Sequence, residues 1–347
     1  MVTTAEARTA EPPLVSVVVP VHGSAEYLET TLRGIEHQTY RPIEVVVVDE
    51  RASGDLRPRV KAVLPDAVVV KSDGPGPGTA RNSGLAHAAG EFVAFLDCDD
   101  VWLPDFISVL AGALDRAPLA VLAGCTFIEF DGCGPRAIRP LRRTRVSADP
   151  VRSILIDYQF PPSVALCRRE IVERLGGWGE YLAKEDRVFF GLMAVAGPVV
   201  HVDQPLALYR VHLNSRSQRG PATDPDLWYV AVRAANETVL KEVEASPSKT
   251  RLGHDLDAVA HWTAAQIYLI SGSRQKAVRE GLRALRMAPT EPEPYFVLLR
   301  ALLGSRMAQR LRRSIEPAFS EEIQEQVRRA NEPMARLDES ARSTTPV

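Results

Sequence analysis

Long apolar runs are the first thing this chain lacks. Its most apolar late stretch, Val188 to Val200, is broken by Gly191, Gly197 and Pro198 and is too short for a membrane span. The opening MVTTAEARTAEPP has no basic segment ahead of an apolar core, so it does not read as a secretory signal. Cysteine is scarce too. Cys98, Cys125, Cys133 and Cys167 form no C-x-x-C pair and have no close histidine, which argues for free thiols in a reducing compartment and against zinc or a disulfide framework. Neither sign of charge is in excess: 42 basic and 44 acidic residues leave a net −2, which removes the bulk electrostatic case for nucleic acid. Also missing are G-x-G-x-x-G and G-x-x-x-x-G-K-[ST], so a dinucleotide dehydrogenase and a P-loop NTPase both lose their usual fingerprint. Gly74, Gly76 and Gly78 are interleaved with proline and read as a loop. The expectation is a cytoplasmic protein. Peripheral contact with the inner membrane face stays open through Arg306, Arg310, Arg312 and Arg313, though a solvated face is the commoner explanation.

What is present is an ordinary globular composition, 45% hydrophobic and 25% charged over 347 residues, enough for two domains with proper cores. The chain is organised around Glu91 to Trp102, EFVAFLDCDDVW. Phe92 to Leu96 read as a buried strand that runs into Asp97, Cys98, Asp99 and Asp100. Three carboxylates at one strand end repel unless a cation sits among them, and a hard divalent ion such as Mg²⁺ or Mn²⁺ suits oxygen ligands. A competing explanation is a helix N-cap at Asp100 ahead of Val-Trp-Leu-Pro-Asp. The cap accounts for one carboxylate; the metal accounts for the cluster.

Ahead of that stretch come strand 14–19, stopped by Pro20, a helix through Leu28, Leu32 and Ile35 that Ser24 can cap, and strand 43–48 ending at Asp49. A short helix, strand 67–70, and a helix reaching Ala89 follow. This β-α-β-α-β-α-β alternation predicts a doubly wound, mainly parallel α/β sheet with helices on its faces. Beyond it are a helix from Asp105 to Arg116, a strand 119–130, an irregular arginine-rich loop 132–145, a strand 161–166 and a helix that Glu185 and Asp186 open. Strands 199–202 and 206–209 close the sheet ahead of His212. A lone histidine after a strand is more often structural, and His212 gains weight because Mn²⁺ accepts imidazole beside carboxylate. After about Gly220 the pattern is all helical, with a tetratricopeptide-like hairpin at 262–303. The expected organisation is a tail 1–12, a catalytic domain 13–219, a helical domain 220–320 and a partly disordered tail 321–347.

Four motifs in order then resemble glycosyltransferase family 2, inverting enzymes of the GT-A fold that use nucleotide-diphosphate sugars. They are VSVVVPVHGSAEYLETTLRGIEHQTYRPIEVVVVDE, TARNSGLAHAAGEFVAFLDCDDVWLPDFI with its D-x-D element, LGGWGEYLAKEDRVFF, and YRVHLNSRS. The resemblance implies that Pro20, Val21 and His22 lie along the nucleotide base and that Asp49 accepts a hydrogen bond from it. It implies Arg81 at the diphosphate, Asp97 at the ribose or donor sugar with Cys98 alongside, and Asp99 on a Mn²⁺ or Mg²⁺ ion with His212. Asp186 would be the general base, with Glu26, Asp100, Glu185 and Arg210 in support. The partners implied are a nucleotide-diphosphate sugar donor, UDP-linked first, and a hydroxyl-bearing saccharide, glycolipid or small-molecule acceptor.

The chain departs from the family where Tyr-Asn is replaced by His22-Gly23, where Asp-Asp-Gly-Ser is replaced by Asp49-Glu50-Arg51-Ala52-Ser53, and where Phe-Asp becomes Trp178-Gly179. The first two lie at the donor nucleotide and leave the base identity open. A nucleotidyltransferase would share the sheet and acidic site but wants a Gly-rich basic loop after the first strand, which His22 to Glu26 is not. A non-catalytic scaffold built on the C-terminal helices is the reading from another class.

Overall fold

The first strand, β1 (Val15–Gly23), is buried from Val15 to Val21. The computed structural model describes residues 11–304 and 319–331 apart from 24, 53, 140–149, 153, 155–160, 182–183, 213–214, 244–248 and 291. Ser24, Arg142, Arg143, Arg145, the four arginines of 306–313, and tail residues 1–10 and 332–347 lie outside that set. Pro20 does not stop β1 as expected. Val18 O accepts from Leu96 N at 2.9 Å, and Pro20, two residues on, faces the same flank, where β4 (Phe92–Phe95) has ended. Its missing N–H therefore deprives no ladder partner. On the other flank β2 (Ile43–Ala52) continues alongside, which sets Val21 beside Asp49.

Among the described residues nine strands form one sheet in the order β3-β2-β1-β4-β8-β6-β9-β5, with β7 paired to β6. β3 (Val68–Lys71), β2, β1 and β4 are all parallel. β8 (Ala165–Arg168) runs antiparallel to both β4 and β6 (Leu122–Asp131), β9 (Val199–Arg210) parallel to β6, and β5 (Val101–Trp102) antiparallel to β9. The sheet is mixed and mainly parallel, as the alternation predicts. The two closing strands expected at 199–202 and 206–209 are one strand, with register shifts opposite Cys125 to Phe127. A 3-10 turn at Pro162–Val164 takes half of the strand expected at 161–166, whose last two residues open β8.

Helices α1 (Leu28–Glu36), α2 (Arg57–Val63) and α3 (Pro77–Leu85) join the parallel strands. α3 stops at Leu85, short of the expected Ala89, and lies close on the sheet. A Cβ on Gly84 would meet Val18 Cγ1 at 2.3 Å and Val48 Cγ2 at 2.9 Å, so only glycine permits the approach. α4 (Phe106–Arg116) follows β5, with Trp102 stacked on Phe106 at 4.1 Å. Gln38 ties α1 to this junction: its Nε2 donates to Leu103 O at 2.7 Å and its Oε1 accepts from Ile107 N at 3.0 Å.

The arginine-rich segment is not an irregular loop throughout. Gly134–Arg139 forms β7, and its arginines face carboxylates of the same hairpin, Arg139 with Glu129 and Arg136 with Asp131. Short helices α5 (Pro150–Arg152) and α6 (Arg169–Arg174) precede α7 (Glu185–Ala196).

α8 (Arg216–Thr223) runs across the boundary expected at 219/220, and α9 (Pro225–Glu242) begins with Asp224 accepting from Leu227 N at 2.9 Å. α10 (Lys249–Ile270), α11 (Arg274–Met287) and α12 (Pro292–Leu303) pack through small residues such as Ala258, Ala264, Ala277 and Ala284. Val239 of α9 and Leu256 of α10 sit in the same core cluster as the sheet. Residues 321–331, expected to begin the tail, form α13 (Glu321–Asn331), whose Val327 and Ala330 pack on Val101, Ile128, Phe130 and Leu208. No helix among the described residues is long and apolar enough to cross a membrane.

Candidate active site

Arg81 projects from the first turns of α3 into a nearly closed setting, with its side chain 4% exposed. Nη2 donates to Asp97 Oδ1 at 2.7 Å and Nη1 to Glu185 Oε1 at 3.4 Å. The guanidinium lies 4.4 Å over the Trp178 ring, which stacks in turn on Phe189 at 3.9 Å. Asn82 fixes Trp178 by bonding both its backbone N and its backbone O, each at 2.8 Å. Burial works against the charge on Arg81, yet Asp97 and Glu185 outweigh it and raise its pKa. As placed, Arg81 organises the acidic loop, and only its buried Nε lacks a partner among the described residues. The diphosphate contact implied by resemblance would fall to its remaining N–H groups, since each Nη keeps a second hydrogen beyond the one given to a carboxylate.

The loop after β4 gives each of its three carboxylates different partners. Asp97 takes Arg81. Asp99 Oδ2 lies 2.9 Å from His212 Nε2. Asp100 accepts from Ser163 Oγ at 2.6 Å and from Arg210 N at 2.8 Å. Burial, then the neighbouring carboxylates Asp99 and Asp97, push the Asp100 pKa well up. Burial also raises that of Asp97 against the pull of Arg81. Asp100 caps no helix: β5 follows it directly, and α4 begins only after Asp105. Hydrogen bonds from Arg81, Ser163 Oγ and Arg210 N offset part of the mutual repulsion, and what remains adds to burial in raising the Asp97 and Asp100 pKa values. Ser163 had no signal in the sequence, yet it ties the loop together by also accepting from Asp97 N at 3.1 Å. Cys98 is a free thiol whose pKa is pushed far up by burial and by Asp99 and Asp97.

A second group of expected site residues lies toward the ends of β1 and β2. Asp49, 5% exposed, accepts from Ala52 N at 2.8 Å and pairs with Lys71, a partner the sequence reading missed. Burial alone would raise its pKa; Lys71 and the Ala52 N–H overcome that and hold it low. Pro20 and Val21 are buried in β1, and His22 is exposed with Nδ1 2.9 Å from Glu50 O. Glu50 Oε1 accepts from Gly76 N at 2.6 Å, which ties β2 to the turn before α3. Glu26 is exposed, and its charge acts on Arg210.

On the opposite side, Lys184 adopts a left-handed conformation (φ 64°) that starts α7. Glu185 turns inward to Arg81, while Asp186 is half-buried and accepts from Arg187 N at 2.8 Å. Its charge reaches Arg81 and Asp97. Arg187 Nε bonds Asn236 Oδ1 at 2.6 Å, and Asn236 Nδ2 bonds Leu256 O at 3.0 Å, so α9 and α10 brace the start of α7.

No group of three or more His, Cys, Asp or Glu among the described residues could by itself enclose a metal ion. Asp99 with His212 offers one oxygen and one nitrogen donor. That set fits an ion which completes its coordination with phosphate oxygens and water, and the imidazole favours Mn²⁺ over Mg²⁺.

The family model described as Glycosyl transferase family 2 matches residues 16–176, from β1 through the turn after α6. These residues belong to glycosyl transferase family 2. Among curated proteins, the chain is 32% identical over 225 residues to the putative glycosyltransferase EpsH of Bacillus subtilis, across 60% of this chain and 64% of that protein. It is 32% identical over 125 residues to the GalNAc(5)-diNAcBac-PP-undecaprenol beta-1,3-glucosyltransferase of Campylobacter jejuni, across 35% and 40%. The chain spans less than two thirds of the length of the first curated relatives it matches. Among solved structures it is similar in fold to S. aureus TarS, with TM-score 0.57, 17% identity, and coverage of 85% of this chain and 54% of that one. The 1–349 portion of TarS in complex with UDP-GlcNAc gives TM-score 0.53 at 16% identity, covering 84% and 92%. The chain therefore shares the GT-A type sheet of these structures, and coverage of 85% carries the likeness beyond the sheet into the C-terminal helices.

Proposed function

We propose that this chain moves a sugar from a nucleotide-diphosphate sugar to an acceptor hydroxyl by a single inverting displacement. The observation that carries this reading is the gathering of Arg81, Asp97, Asp99, Glu185 and His212 through direct contacts at the carboxyl edge of the sheet, the edge where α/β folds bind ligands. Asp49, at the end of β2, accepts a hydrogen bond from the nucleotide base, with Pro20, Val21 and His22 lining the approach. Asp97 holds the donor ribose or sugar, and Arg81 sets the orientation of Asp97. Asp99 and His212 would hold a Mn²⁺ or Mg²⁺ ion, which when bound supplies Lewis-acid stabilisation of the departing diphosphate. Asp186 takes the acceptor proton as the hydroxyl oxygen bonds to the anomeric carbon. The bond from that carbon to the diphosphate oxygen breaks, and its electron pair leaves with the nucleotide. One carboxylate oxygen of Asp186 is held by the Arg187 N–H, and the other carries no hydrogen bond among the described residues, as a base awaiting an acceptor requires.

UDP comes first among donors because TarS, of the same fold, is seen with UDP and UDP-GlcNAc. The acceptor class is a saccharide or glycoconjugate, in keeping with the named glucosyltransferase relative. Calorimetric titration of UDP, GDP and dTDP nucleotides, with and without Mn²⁺, on wild type and Asp99→Ala tests the reading. One nucleotide should bind in a metal-dependent way, and the variant should lose it. Folded protein that binds none of the three overturns the proposal.

A further inference from the structure

Arg210, the last residue of β9, makes four hydrogen bonds to two distant parts of the chain. Its backbone N holds Asp100 Oδ1 at 2.8 Å and its Nε donates to Asp99 O at 2.9 Å. Nη1 donates to Asn331 Oδ1 at 2.9 Å and Nη2 to Ala330 O at 2.7 Å, both at the carboxyl end of α13. The guanidinium is held between the rings of Tyr27 at 4.0 Å and Phe130 at 4.4 Å and is 4% exposed. Asn331 Nδ2 in turn donates to Asp131 O at 2.7 Å, at the end of β6. The terminal carbonyls of α13 carry the negative end of the helix dipole, so a buried cation is favoured there.

We infer that α13 is a positioning element for the site: through Asn331 and Ala330 O it orients Arg210, and Arg210 sets the main chain of Asp99 and the carboxylate of Asp100. The residues so coupled are about 120 apart in sequence and belong to different layers. α13 is seated by an apolar contact of its own, Val327 and Ala330 on Ile128, Phe130 and Leu208, so the helix arrives with its carboxyl end already aimed. A guanidinium fork with every arm engaged fixes the loop in one orientation, which a lysine could not do. The link stands on geometry alone; its bearing on turnover rests on the donor reading of Asp99.

The test compares wild type with Asn331→Ala, Asn331→Asp and Arg210→Lys by amide hydrogen exchange. The reporters are the amides of Asp97 and Asp100, which donate to Ser163 Oγ and Asp97 O inside the loop. Asn331→Ala and Arg210→Lys should speed exchange there about five- to tenfold, the net worth of one hydrogen bond, while exchange in β2 and α3 stays as it was. Asn331→Asp keeps the acceptor for Arg210 and loses only the donor to Asp131, so it should restore most of the protection. Arg329→Ala, on the exposed side of α13 and paired only with Glu325, serves as the control and should change nothing at the loop. If donor turnover is measurable, Asn331→Ala and Arg210→Lys should raise the donor KM more than they lower kcat. Unchanged loop exchange in both overturns the inference even if the protein transfers sugar. Altered exchange without any transfer upholds the link and counts against the donor reading alone. Should Asn331→Ala not fold, Arg210→Lys carries the comparison.

Discussion

The two halves of the sheet are built on different terms. From β3 to β4 every strand is parallel, and the proposed donor carboxylates stand at or just beyond a strand end: Asp49 at the close of the buried run of β2, Asp97 and Asp99 after β4. From β8 to β5 the sheet is mixed, neighbours are far apart in sequence, and the functional groups arrive on other pieces: Glu185 and Asp186 on a helix start, His212 beyond the last strand, Arg210 steered by α13. The first half holds its carboxylates tightly, Asp49 by Lys71 and Ala52 N, Asp97 by Arg81. In the second half Asp186 has only the N–H of its own helix start. Under the proposed function, the contrast gives most of the donor fixing to the first half and proton transfer to the second.

The sharpest way to break that division is Asp186→Asn. If the loosely held carboxylate is the base, kcat should fall by about 10²–10⁴, the usual worth of a positioned base. Nucleotide affinity and melting temperature should stay put, because Asp186 anchors little besides one N–H. Initial rates with donor and acceptor, set beside calorimetry, read both quantities. A rate within tenfold of wild type would move the base elsewhere and dissolve the contrast.

Arg81 is where the halves meet, with one nitrogen on Asp97 and another on Glu185. Arg81→Met leaves both carboxylates without their cation and strips the Trp178 face. Removing one partner from a buried ion network costs about 3–5 kcal/mol, so urea denaturation should show a loss of at least ~3 kcal/mol. Arg81→Lys restores the charge but not the fork and should recover less than half. A loss below ~1 kcal/mol in Arg81→Met would mean the two carboxylates are separately hydrated and the halves are not joined here.

The same contrast explains what the sequence disclosed. In the first half the buried runs and their acidic ends are local, so periodicity put Asp49, Asp97 and Asp99 at the strand ends where they stand, while the roles proposed for them came from the family resemblance. Pro20 was misread because its tolerance depends on where β4 ends, a fact of register and not of composition. In the second half the informative contacts span long separations. Ser163 meets Asp100 across 63 residues, and Asn331 meets Arg210 across 121. Lone serines and asparagines carry no local pattern, and an arginine-rich stretch gives no hint that Arg136 and Arg139 face carboxylates of their own hairpin. Glu185 and Asp186 were legible only as a helix start; that one turns inward and the other does not is settled by Arg81 and Trp178.

Acid should separate the halves, by the smallest effect of the three. In the second half burial holds His201 of β9 neutral and lowers its pKa to about 4, against the pull of Asp203 and a backbone bond to Gly124. The unfolded chain, with an ordinary histidine near 6.5, binds the extra proton between those values. The stability that His201 contributes is therefore complete above about pH 6.5 and drains as pH falls toward about 4. In the first half Asp49 is held below the ordinary carboxylate value by Lys71 and Ala52 N despite its burial. Its contribution is complete above about pH 4 and drains only below that, as the unfolded carboxylate takes its proton first. The His201 contribution to melting between pH 7 and 4.5 should be a downward slope of a few degrees, at ~2–4 °C per kcal/mol for a chain of this class, against which the raised Asp97 and Asp100 carboxyls work. His201→Gln should flatten that slope and Asp49→Asn should leave it unchanged. Below pH 4 the roles reverse, and Asp49→Asn becomes the flatter of the two. A wild-type slope between pH 7 and 4.5 that His201→Gln does not reduce would place the acid-sensitive group elsewhere and remove this distinction between the halves.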